Sequence, residues 1–150
     1  MHSGDCVVIG LGSPFLRDDS VGPRVVRELA DGTEGRLRLV ESHAGGLLLL
    51  EELAGAARAI IVDALLDARR TPGEVVVAGI DGDSRNAACG HDCTLPQALT
   101  MGRAMGLDLP TDENIHLVAV VADDVSTFDE NLTPRVAAAL PEACRTVSML

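Results

Sequence analysis

Three aspartates and one histidine fall where an α/β chain places its chemistry. Asp18 and Asp19 follow the turn Gly10-Leu11-Gly12-Ser13-Pro14, which closes the apolar run Cys6-Val7-Val8-Ile9. Asp63 ends a second apolar run, Arg58-Ala59-Ile60-Ile61-Val62. His91 sits in Cys89-Gly90-His91-Asp92-Cys93, just ahead of a helical stretch. Carboxylates at the carboxyl ends of buried strands can bind a cation or move protons, because ligands of open α/β sheets bind outside those ends where the strand order reverses. Each position also has a plainer reading. Asp18 or Asp19 can cap a helix, an acid closing a strand is often only a turn residue, and a lone loop histidine is more often exposed and idle. Cys89, His91 and Cys93 could ligate zinc, but structural zinc takes four ligands and the usual Cys-x-x-Cys spacing is absent.

The elements that must position these residues can be read from periodicity. Short β-branched runs bounded by glycine are the pattern of fully buried parallel strands. They predict strands over Cys6 to Ile9, Leu37 to Val40, Arg58 to Ala64, Glu74 to Ile80 and Ile115 to Val121, with the strand from Val7 interior and beside that from Ala59. Val21, Val25, Val26 and Leu29 have the spacing of a one-sided helix, which Asp19 or Ser20 would cap, with Pro23 tolerated in its first turn. Further helices are expected over Leu47 to Ala57, over Thr94 to Met105 behind a Thr94 or Asp92 cap, and from Pro134 behind a Thr133 cap. The segment from Asp81 to Cys93 is long, polar and aperiodic, as functional loops are.

A strand, a Gly-x-Gly turn, a helix and then Glu41 after the second strand imitate a dinucleotide-binding unit. The imitation fails on charge and packing: Phe15 stands where a third glycine is needed, and Asp18 and Asp19 would repel a pyrophosphate and attract a cation. A net charge of -11 opposes nucleic-acid binding, and two phenylalanines are the whole aromatic complement. No apolar run approaches the ~20 residues of a membrane span, and the opening MHSGD has neither the basic nor the apolar region of a signal peptide. A single cytoplasmic α/β domain over 1–150 is expected, with its four cysteines mostly reduced. Neither Gly-x-Ser-x-Gly nor His-Glu-x-x-His occurs, so a serine hydrolase or a standard zinc protease has no support.

Taken together and in order, Gly10-Leu11-Gly12-Ser13-Pro14, Asp18-Asp19-Ser20-Val21-Gly22, Ile61-Val62-Asp63-Ala64, His91 before a helix, and Leu132-Thr133-Pro134 resemble the hydrogenase maturation endopeptidases, from Val7 to about Ala143. The resemblance implies a twisted five-stranded, mostly parallel sheet between helices. It implies an endopeptidase that removes the C-terminal extension of a nickel-iron hydrogenase large-subunit precursor, with that precursor as its partner. It further implies that Asp19, Asp63 and His91 form the catalytic, metal-binding set and that the metal is nickel supplied by the substrate. A metal held there could be assisted by Asp18, either behind its ligands or as a general base. Three such ligands leave coordination positions open and suit nickel or zinc. The chain departs from the family at Ser13 and Ser20, at Ser42-His43 after the second strand and at Gly90, so that His43 adds an imidazole near the site. The alternative functions are a nucleotide-binding α/β module and a non-catalytic acidic interaction protein.

Overall fold

The computed structural model describes residues 5–32, 37–43, 45–80 and 93–150. Five strands, β1 (Cys6–Leu11), β2 (Leu37–Ser42), β3 (Arg58–Leu65), β4 (Val75–Gly79) and β5 (Ile115–Val121), form one sheet in the order β2-β1-β3-β5-β4. All neighbours run parallel except β4, which pairs antiparallel with β5 at one edge. The strand from Val7 is interior and lies beside β3, as its uninterrupted apolar run requires. Helices α1 (Val21–Ala30), α2 (Leu49–Leu53), α3 (Leu95–Ala104) and α4 (Pro134–Met149) cover the two faces.

Alternation along the strands divides the core. Val8, Ile60, Val62, Val118 and Val120 point to one face and pack with Val21, Val25, Val26 and Leu29 of α1 and Val136, Ala139 and Ala143 of α4. Val7, Ile9, Leu11, Ile61 and Leu117 point to the other, against Leu49, Leu50 and Leu53 of α2 and Leu95, Ala98 and Leu99 of α3. Each fully buried Val, Leu or Ile contributes about 1.5–3 kcal/mol, and with both faces covered β1 and β3 are fixed from two sides.

α1 approaches the sheet through glycine. A Cβ on Gly22 would lie 2.4 Å from the Val62 carbonyl oxygen and 2.6 Å from that of Leu11. The close helix–strand contact that Phe15 cannot provide is therefore made by Gly22, at the second residue of the helix.

Three local expectations are corrected. A 3₁₀ turn, Arg17–Ser20, precedes α1, and neither Asp19 nor Ser20 caps the helix by its side chain; Ser20 Oγ donates back to the Arg17 carbonyl instead. The helix expected over Leu47 to Ala57 is a 3₁₀ turn, Gly46–Leu48, followed by the short α2, because Gly55 turns at φ +82° and its amide donates to Asp108. Thr133 precedes Pro134 as expected but does not cap α4 with its side chain, for a reason that lies in Asp18. The α3 start is as read: Thr94 and Gln97 form a reciprocal capping box.

Candidate active site at the ends of β1 and β3

The connection from β1 leads to β2 on one side, and the chain then crosses back to lay β3 on the other, so the strand order reverses between β1 and β3. Gly10 pairs with Val62, which sets Asp63 level with the last residue of β1. The open end of that switch point is where such sheets bind ligands.

Asp63 is nearly buried, facing the side of α2 and α3, and its Oδ1 accepts the following amide, that of Ala64, at 2.8 Å. Asp19 is half-buried in the 3₁₀ turn that packs against β3. The chain reaches it through Gly12, whose φ of +143° suits only glycine and whose missing Cβ would fall 1.9 Å from the Asp19 carbonyl oxygen. Past this turn Ser13 donates its amide to Asp19 Oδ2 at 2.9 Å, while Oδ1 makes no hydrogen bond among the described residues. An amide that could have faced a phosphate is thus already held by a carboxylate, which weakens the nucleotide-binding alternative further.

Asp18 points elsewhere. Completely buried, it accepts hydrogen bonds from the amides of Asp123 and Asp124 at 2.9 and 3.0 Å, from the Thr133 amide at 2.7 Å and from Thr133 Oγ1. Its own amide donates to the Asp124 carbonyl at 2.9 Å. Both carboxylate oxygens are occupied, so the expectation that Asp18 assists as a base or beside a metal is corrected. It ties the turn after β1 to the loop after β5 and to the start of α4, and it takes the hydroxyl that would otherwise cap that helix. The sequence held no local sign of this, because the partners lie more than a hundred residues away.

The same two loops are joined again by backbone bonds. Arg17 donates to the Asp129 carbonyl at 2.8 Å and Asp129 to that of Phe15 at 2.9 Å. Above them the rings of Phe15 and Phe128 stack with centroids 6.0 Å apart. Arg17 adopts φ +52°, an uncommon conformation for a side-chain-bearing residue, immediately before the two aspartates. Asp124 completes the frame: its carboxylate accepts from the Thr127 hydroxyl and from the amides of Ser126 and Thr127, which hold it well below the usual carboxylate range.

His91, the third candidate ligand, and Cys89 lie outside the described residues. Cys93 is described and half-buried, at one end of a shallow groove of about 530 Å³ along α3 lined also by Pro96, Gln97, Thr100 and Met101. Among the described residues no group of three or more metal-ligating side chains converges. Cys6 and Cys144 do not enter the site, and burial raises both thiols above the ordinary value, as suits inert packing residues. His43, named in the sequence only as an extra imidazole, is exposed at the end of β2 with Nδ1 2.8 Å from the Gly12 carbonyl oxygen.

No protein-family model matches the sequence, and no curated protein matches it. Solved structures do. The hydrogenase maturating endopeptidase HybD from E. coli superposes with a TM-score of 0.77 at 24% identity, over 95% of this chain and 89% of that one. The [NiFe] hydrogenase maturation protease HybD from Thermococcus kodakarensis gives 0.71 at 22% identity, over 97% of each chain. The [NiFe] hydrogenase maturation protease HycI from Thermococcus kodakarensis KOD1 gives 0.73 at 15% identity, over 97% and 91%. Identities this low carry the architecture and not the activity. The chain has the fold of the solved hydrogenase maturation endopeptidases along nearly its whole length.

Proposed function

We propose that the protein is a metal-dependent endopeptidase that removes the C-terminal extension of a nickel-iron hydrogenase large-subunit precursor, and that it recognises the nickel already inserted there. The observation that carries this reading is the pair Asp19, in the 3₁₀ turn that follows β1 and packs on β3, and Asp63, near the carboxyl end of β3, beside the point where the strand order reverses, in a fold shared with maturation endopeptidases over nearly the whole chain. The donor chemistry fits a divalent metal. Asp19 keeps one carboxylate oxygen clear of hydrogen bonds among the described residues, and Asp63 brings a second carboxylate beside the same switch point, with His91 as the third member of the set. In this reading the metal arrives with the precursor. Bound nickel supplies a Lewis acid that polarises a carbonyl or acidifies a water.

The chain's own residues do the rest. Ser13 fixes the Asp19 carboxylate through one oxygen, and the Asp18 anchorage keeps the turn that carries Asp19 from shifting when the precursor docks. The protein works on a cytoplasmic precursor in this account, and no described helix is long and apolar enough to cross a membrane.

The test is to incubate the purified protein with the nickel-loaded large-subunit precursor encoded in the same genome and follow its loss of mass. Wild type should cleave it; Asp19→Asn and Asp63→Asn should each lose at least ~100-fold in rate, the scale for removing a group that acts on the reacting atoms, while keeping the native circular dichroism. Cleavage at wild-type rates by both variants, or none by wild type, would refute the reading.

A further inference from the structure

The peptide unit between Gly12 and Ser13 is held at both ends. Its N–H donates to Asp19 Oδ2 at 2.9 Å, and its carbonyl oxygen lies 2.8 Å from His43 Nδ1. A carbonyl can only accept, so the contact requires the proton on Nδ1, and in the neutral ring Nε2 then carries the lone pair. The Gly12 amide donates to the carbonyl of Ser42, the residue before His43, at 2.9 Å, which ties the turn to the strand end that bears the imidazole. Gly12 sits at φ +143°, where a residue without Cβ has most freedom to rotate the peptide that follows. Rotation of that peptide would swing its N–H away from Asp19.

We propose that His43 is a positioning residue: by donating to the Gly12 carbonyl it locks the Gly12–Ser13 peptide so that Ser13 holds Asp19 Oδ2 and leaves Oδ1 for the ligand. This rests on the assignment of Asp19 to the site. Hydrogen bonds to the two ends of one amide reinforce each other, since a donor on the oxygen polarises the N–H toward its acceptor. The imidazole thus acts on the carboxylate through a single peptide without touching it.

Nitrogen-15 NMR on the free protein tests this without substrate or metal. Neutral His43 should carry its proton on Nδ1. His43→Ala should shift the Ser13 amide proton upfield, as expected of a weakened hydrogen bond, whereas His43→Gln, whose amide can donate to the same carbonyl, should keep most of the wild-type shift. On nickel-loaded precursor His43→Ala should lower kcat by between about ten- and a hundredfold with KM within about twofold, and His43→Gln should stay within about threefold of wild type, as expected for loss and retention of preset geometry. A proton on Nε2, a Ser13 amide unmoved by His43→Ala, an undiminished kcat in that variant, or a Gln variant as impaired as Ala would each overturn the proposal. If wild type cleaves no precursor while the NMR behaves as expected, the proposed function fails and the lock on Asp19 stands.

Discussion

Adjacent aspartates in one turn do opposite work. Asp18 is a buried carboxylate whose removal would leave three amides and a hydroxyl without their acceptor. Asp18→Ala should therefore destabilise the fold by about 3–5 kcal/mol, the cost of orphaning buried donors, and lower Tm by about 10 °C in a chain of this size. Asp19 gives up only one hydrogen bond from a half-exposed amide, so Asp19→Asn should change stability by no more than about 1 kcal/mol while abolishing cleavage. Differential scanning calorimetry beside the cleavage assay separates the two, and equal destabilisation by both substitutions would contradict the division of roles. The sequence pointed to one of the pair as a candidate site residue. It left open which, since the deciding partners of Asp18 lie beyond β5, and the choice of Asp19 came from the family resemblance.

Strands were the most legible elements, because a strand buried on both faces needs a continuous apolar run, and β1, β3 from Ala59 to Val62 and β5 from Leu117 to Val121 have one. Helix ends were less so. The Leu47 to Ala57 stretch has the composition of a longer helix, but backbone bonds from Gly55 to Asp108 and from Ala57 to Asp5 draw the chain out of it after Leu53. Composition also hid the closest contact of α1, where Gly22→Ala should cost about 3 kcal/mol or more in urea unfolding, because the neighbouring atoms are sheet backbone and cannot yield. The loop after β5 should respond to acid. The native carboxyl of Asp124 is held below its unfolded value, so its contribution is complete above the ordinary carboxylate pKa of about 4 and is lost progressively as pH falls below it. Protection factors at Ser126 and Thr127, taken relative to the intrinsic exchange rate at each pH, should fall below about pH 4 in wild type and be low and independent of pH in Asp124→Ala. Unchanged protection down to pH 2 in wild type would count against that linkage.

Over the whole molecule, a five-stranded sheet whose order reverses between β1 and β3 brings Asp19 and Asp63 to one edge, and a frame of loop contacts centred on Asp18 holds that edge in place. The fold was legible because its rule is simple burial; the position of Asp63 was legible because it ends the apolar run Ala59 to Val62, although β3 continues to Leu65; His91 falls outside the described residues and rests on the resemblance. The central claim is that the metal belongs to the substrate, since two carboxylates and an imidazole on separate elements, with few soft donors, should hold nickel weakly until the precursor adds its own ligands. The most direct measurement is to treat the purified protein with a chelator, remove the chelator, and compare cleavage of nickel-loaded and nickel-free precursor. The account predicts undiminished cleavage of the loaded precursor and none of the nickel-free form. Equal cleavage of both, or activity lost on chelation and restored only by returning metal to the protein, would contradict it.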